Sequence, residues 1–205
     1  MRHKMMTAMA ALALAAAPAL AAFRIMPAGT PQLIRNSTLT VTPGIDWNRL
    51  GPRLGRNAEA WTLDGHSLND LNFYAGVADG ATLFREVDRR NRPLPRFSAT
   101  MLAPEIVQIF ESTYRVAART SLFEVGEVSP ATFAGHPGVR FTYRFTIQDE
   151  EVRRNGEATG AVIGGKLYLI SYEAPAIHYF ARNLADYRAI VASATLAAGA
   201  PPRRR

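Results

Sequence analysis

One stretch, Val139 to Ile147, constrains this chain more than any other: Val139, Phe141, Tyr143, Phe145 and Ile147 alternate strictly with Arg140, Thr142, Arg144 and Thr146. Successive side chains of a strand point to opposite faces of a sheet. A period of two therefore places one apolar face on a core and one polar face in water. A strand wet on one side belongs to an antiparallel sheet. Arg140 and Arg144, on the wet face, are expected to pair with acidic side chains across the strands.

The rest of the chain supplies partners for such a strand. Ser37 to Thr42 is β-branched and closed by Pro43-Gly44, with Trp47 anchoring the turn into the core. Glu59 to Leu63 and Leu71 to Val77 read as strands punctuated by Gly65 and Gly80, and Phe123, Val125 and Val128 belong to another. Gly156 to Ile163 and Lys166 to Glu173 flank Gly164-Gly165, a pair suited to a tight hairpin. Pro104 and Glu105 suit the first turn of a helix running to about Ala118, with Ile106, Phe110 and Ala117 on one side and Glu111–Arg115 as a surface pair. Asn183 is placed to cap a second helix, in which Leu184, Tyr187, Ile190, Val191 and Ala194 recur at helical spacing. Strands in runs, with helices between and after them, predict an α+β domain: an antiparallel β-sheet flanked by helices.

The amino terminus sets the compartment. MRHKMMTAMAALALAAAPALAA has a basic start, an Ala/Leu-rich stretch and Pro18 before Ala19-Leu20-Ala21. That pattern reads as a signal peptide (residues 1–21) cleaved after Ala21, giving a periplasmic or secreted protein. Residues 22–36 then form an extended lead-in, residues 37–197 a single domain, and residues 198–205 a Pro/Arg tail. The chain has no Cys, which excludes disulfides, thiolate metal sites and a cysteine nucleophile. The fold must therefore rest on core burial.

The formal charge of +7 invites a nucleic-acid reading, but five of the 24 basic residues sit at the ends: Arg2, Lys4, Arg203, Arg204 and Arg205. The remaining 19 face 17 acidic residues, and a body charge of +2 does not make a phosphate-binding face.

The order of elements resembles a known group. LTVTPGIDWN (39–48) resembles the early strand-then-Trp element of the PsbP/Mog1-like proteins, and GKLYLISYEAPAIHYFARNLADYRAIVASATL (165–196) resembles their closing signature. In that signature a last strand ends in a small-residue-Pro turn, an aromatic comes next, and a helix runs into a VxSxxL-type finish. The matching positions are Leu167, Leu169, Ser171, Ala174, Pro175, Tyr179, Val191 and Ser193. The resemblance implies an α/β/α sandwich. The group includes accessory subunits of photosynthetic complexes, a nuclear transport cofactor and bacterial envelope proteins, and the signal-like start places this chain nearest the last. These motifs set a fold rather than a chemistry. The expected function is a non-catalytic accessory or protein-interaction module with an envelope protein partner and no cofactor. A small-ligand or metal-binding protein is the alternative, and a hydrolase comes third.

Candidate sites are few. GAVIGGK (160–166) spells a phosphate loop without its final hydroxyl residue, and a strand stands where the mechanism needs a helix, so it reads as a hairpin turn. Asp64, His66 and Asp70 lie close enough to offer metal ligands, although a polar turn explains them equally well. With Tyr168, Tyr172 and Tyr179, Asp64 and His66 also motivate a ligand pocket between sheet and helix. Ser67 beside His66 is adjacency alone, and Glu150-Glu151 is an exposed acidic turn with nothing to raise a carboxyl pKa. Arg85, Arg89, Arg90, Arg92 and Arg96 form the densest basic cluster, in a loop stiffened by Pro93 and Pro95. Such a loop could dock an acidic partner or an anionic envelope surface.

Overall fold

The computed structural model describes residues 24–51, 55, 57–66, 68–117, 120, 122–147 and 151–197. The expected signal segment with Ala21, Ser67, Glu150 and the tail 198–205 lie outside the described residues. The elements run β1 (Arg24–Met26), β2 (Gln32–Leu33), β3 (Leu39–Val41), β4 (Trp47–Arg49), β5 (Ala58–Thr62), β6 (Asp70–Val77), α1 (Ala103–Ala117), β7 (Phe123–Phe133), β8 (His136–Thr146), β9 (Arg153–Ile163), β10 (Lys166–Pro175), α2 (Tyr179–Ala192) and β11 (Thr195–Leu196).

The alternating stretch is β8. It lies inside an eight-stranded antiparallel sheet ordered β1-β4-β5-β6-β10-β9-β8-β7, and a second sheet of three strands runs β11-β3-β2. This is the α+β architecture the sequence predicts, with layers on both faces of an antiparallel sheet. Among the described residues no helix is long and apolar enough to cross a membrane.

Each face of the large sheet has its own core. On one side α1 packs Phe110 and Tyr114 against Tyr74 of β6, Phe123 of β7 and Phe141, Tyr143 and Phe145 of β8, a continuous aromatic cluster. On the other side α2 and the small sheet cover Trp47, Trp61, Phe73 and Tyr172, with Tyr187 and Ile190 facing inward from α2. Such rings bury large areas and dominate the energetics of a core this size.

Local chemistry explains the joints. Gly164 and Gly165 take φ of 57° and 73°, the left-handed pair that a two-residue hairpin between β9 and β10 requires. GAVIGGK is therefore a hairpin. At the start of α1 the Leu102 N–H donates to Glu105 Oε2 at 2.7 Å, half of a capping box, with Pro104 in the first turn. The Glu111–Arg115 pair forms as expected, as do the cross-strand pairs Arg144–Glu124 and Arg140–Glu127.

Three expectations change. Ala117 is exposed at the end of α1 rather than sharing the buried side with Ile106 and Phe110. The lead-in is part of the fold: β1 extends the large sheet, β2 pairs with β3, and Met26 and Ile34 are core residues. Asn183 is not a cap. The second helix begins one turn earlier, after His178, because Tyr172 donates a hydrogen bond to the Tyr179 carbonyl and stacks on Phe180, pinning that extra turn to the sheet.

Candidate functional site

The helix α1 covers the β7–β8 half of its face and stops short of the ends of β5, β6 and β10. The strand register there sets Asn72 of β6 between Ala60 of β5 and Ser171 of β10, and sets Asp70 directly opposite Glu173. These side chains share one face, since residues two apart along a strand do. Of these, Ala60, Asn72, Asp70 and Glu173 floor a cleft of about 730 Å³, roofed by the segment from Phe84 to Val87. Leu50, Phe145 and Ile147 supply further apolar wall, and His66 and Arg85 stand at its rim.

The floor is built around a buried carboxyl group. Glu173 Oε2 accepts from the Tyr114 hydroxyl at 2.7 Å and from the Tyr143 hydroxyl at 3.0 Å. Burial and, second, the nearby Asp70 carboxylate push the Glu173 pKa up to about 7, while the two tyrosines and Arg154 pull the other way. Burial and the Glu173 charge raise the tyrosine hydroxyls well above their ordinary range, so Tyr114 and Tyr143 remain donors. Tyr74 is raised by the same causes. Its hydroxyl is sealed from solvent, with the Tyr114 hydroxyl and Ser171 Oγ beside it pulling the other way. His66 Nδ1 lies 3.1 Å from Asp70 Oδ1.

The candidates read from sequence divide across this picture. Of the trio Asp64, His66 and Asp70, the last two enter the cleft. Asp64 turns away to bind Asn69 and Arg182, so the trio does not converge. Among the described residues no group of three His, Cys, Asp or Glu side chains could hold a metal ion. Tyr168, Tyr172 and Tyr179 are on the α2 side of the sheet; Tyr168 and Tyr172 belong to that core, and none lines the cleft. The basic cluster is split as well. Arg85 lines the cleft, Arg96 folds back on the Gly80 carbonyl and Glu86, and Arg89, Arg90 and Arg92 are exposed on the loop between.

Sequence reasoning missed Glu173, Tyr114 and Tyr143. The available signal was parity: Leu167, Leu169, Ser171 and Glu173 alternate on one face of β10, so a Glu continues a buried row. An acid in a row of core positions needs partners, and the hydroxyl-bearing rings of the facing elements are the ones to look for.

No family model matches the chain, and no curated protein matches it in sequence. A solved structure does match in shape: the solution structure of cyanobacterial PsbP (CyanoP) from Synechocystis sp. PCC 6803, at a TM-score of 0.51 and 13% sequence identity, covering 91% of this chain and 99% of that chain. The fold is PsbP-like, as the closing signature implied. At that identity the likeness speaks for the fold alone.

Proposed function

We propose that this chain is a non-catalytic, extracytoplasmic accessory module on a PsbP-like fold, and that it works by binding a ligand in the cleft over β6 and β10. One observation carries the reading: the carboxyl group of Glu173, held by the Tyr114 and Tyr143 hydroxyls, lines a cleft whose walls include Leu50, Phe84, Phe145 and Ile147. A few fixed polar groups inside an otherwise apolar concavity are the usual anatomy of a small-molecule site. The secretory pattern ending at Ala21 supports a periplasmic or secreted location. Arg89, Arg90 and Arg92, exposed on the loop that continues from the cleft roof, suit contact with an acidic envelope partner.

Native mass spectrometry of the protein released gently from its own envelope tests this. The expected result is a bound small molecule that is lost in Glu173→Gln. A second reading, acid catalysis, has in its favour that Glu173 holds its proton near neutral pH. Turnover of a defined substrate, abolished by Glu173→Gln, would replace the binding role with that one.

A further inference from the structure

Resting on the cleft as the working site, we propose that its ligand is an organic cation, with an ammonium group seated over Glu173 and Asp70 and an apolar body between Phe84 and Phe145. Asp70 and Glu173 are adjacent across the strands, and a single cation between them would relieve their mutual repulsion. His66 meets Asp70 from the exposed rim, Arg85 is exposed, and Arg96 is engaged with Glu86. Arg154, from the β9 side, already acts on Glu173 electrostatically, and the carboxyl group still holds a proton near neutral pH.

The walls point the same way. Phe84, Phe145 and Tyr114 line the cleft, and aromatic faces attract desolvated cations. An anion would instead approach two carboxyl groups.

Glu173 is faced by Asp70 and Tyr74 from β6, Tyr114 from α1, Tyr143 from β8 and Arg154 from β9. An ammonium ligand binds the ionised carboxylate and so displaces the proton. Its affinity should rise as pH increases through neutrality.

The test is titration of the full chain with phenethylamine, phenethyl alcohol and phenylacetate, read by calorimetry and by amide NMR shifts at Asn72 and Phe84. Phenethylamine is expected to bind, with the alcohol about tenfold weaker or more and phenylacetate weaker still, since a charge-assisted contact is lost. Glu173→Gln should bring the amine down to the level of the alcohol. Ala117→Trp, a change at an exposed wall position, should block both. Asp70→Asn replaces Glu173→Gln should the latter fail to fold. If the alcohol or the acid binds as tightly as the amine, with Ala117→Trp blocking it and Glu173→Gln neutral, the cation is overturned and the cleft remains the binding site. If none of the three shifts the cleft resonances, the cation and the binding cleft both fall.

Discussion

Asp70 and Glu173 stand directly opposite one another on the neighbouring strands β6 and β10, with both side chains on the face that α1 leaves open. Side chains so placed have Cβ atoms about 5 Å apart. Two carboxylates at that spacing do not both ionise easily, and Glu173 is pushed up by its burial and by the Asp70 charge. That arrangement gives the site its electrical character and gives the protein a measurable pH dependence.

The carboxyl of Glu173 titrates near 7 in the folded chain against an ordinary 4.5. Between those values the native state holds a proton that the unfolded chain has released. The stability this contributes is complete below the lower value and lost as pH rises through the upper one. The size is a few kcal/mol, at about 1.4 kcal/mol per unit of difference. Glu173→Gln removes the titration, so the variant should gain on the parent between about pH 5 and pH 8. Urea midpoints of both proteins across that range would show it; parallel curves would refute the assignment.

Tyr114 and Tyr143 donate to the same oxygen of Glu173 and so favour its charged form. Tyr114→Phe and Tyr143→Phe should each raise the Glu173 pKa further and cost about 1 kcal/mol of stability. A carbon-13 NMR titration of the Glu carboxyls reads the first effect directly. An unchanged or lowered pKa would mean that the hydroxyls do not serve the carboxylate.

Much of the sheet was legible because it is built by local rules. The alternation in β8, the glycine pair before β10 and the Pro104-Glu105 start of α1 each settle their own geometry. The site was less legible because it is assembled across the sheet. Asp70 and Glu173 are 103 positions apart in the chain, and their pairing depends on a register that no short stretch encodes. Asn183 misled for a related reason. A good capping residue lost to the stacking of Tyr172 on Phe180, a tertiary contact outweighing a local preference. Asp64 was plausible as a ligand until Arg182, from a distant helix, claimed it.

Phe110 touches five rings of the α1-side core: Tyr74, Tyr114, Phe123, Phe141 and Tyr143. Phe110→Ala should cost about 3–5 kcal/mol, the range for deleting a fully buried ring that its neighbours cannot collapse to replace. Denaturant unfolding measures it. A loss below about 1 kcal/mol would mean that the cluster repacks freely.

On the opposite face, Glu157 is almost wholly buried, and Arg188 of α2 holds it with a two-pronged contact at 3.0 and 2.6 Å. Arg188→Ala leaves that carboxylate without its partner and should cost about 2 kcal/mol. Arg188→Lys should recover part of the loss, since an ammonium matches one oxygen where the guanidinium fork matches two. Full recovery by Lys would show that charge alone matters there. Equal loss in both variants would show that the fork geometry carries the whole effect.

Gly156 on β9 ties the packing to the site. A Cβ at this position would run into the Tyr143 ring, whose hydroxyl donates to Glu173, whereas a Cβ at Gly44 would meet nothing within 4 Å. Gly156→Ala must therefore push Tyr143 aside. It should cost about 1–3 kcal/mol from overpacking and raise the Glu173 pKa by withdrawing a donor. Gly44→Ala should leave both unchanged. Thermal unfolding together with the Glu carboxyl titration separates the two consequences. A destabilised Gly156→Ala with an unmoved Glu173 would mean that the ring yields without surrendering its hydrogen bond.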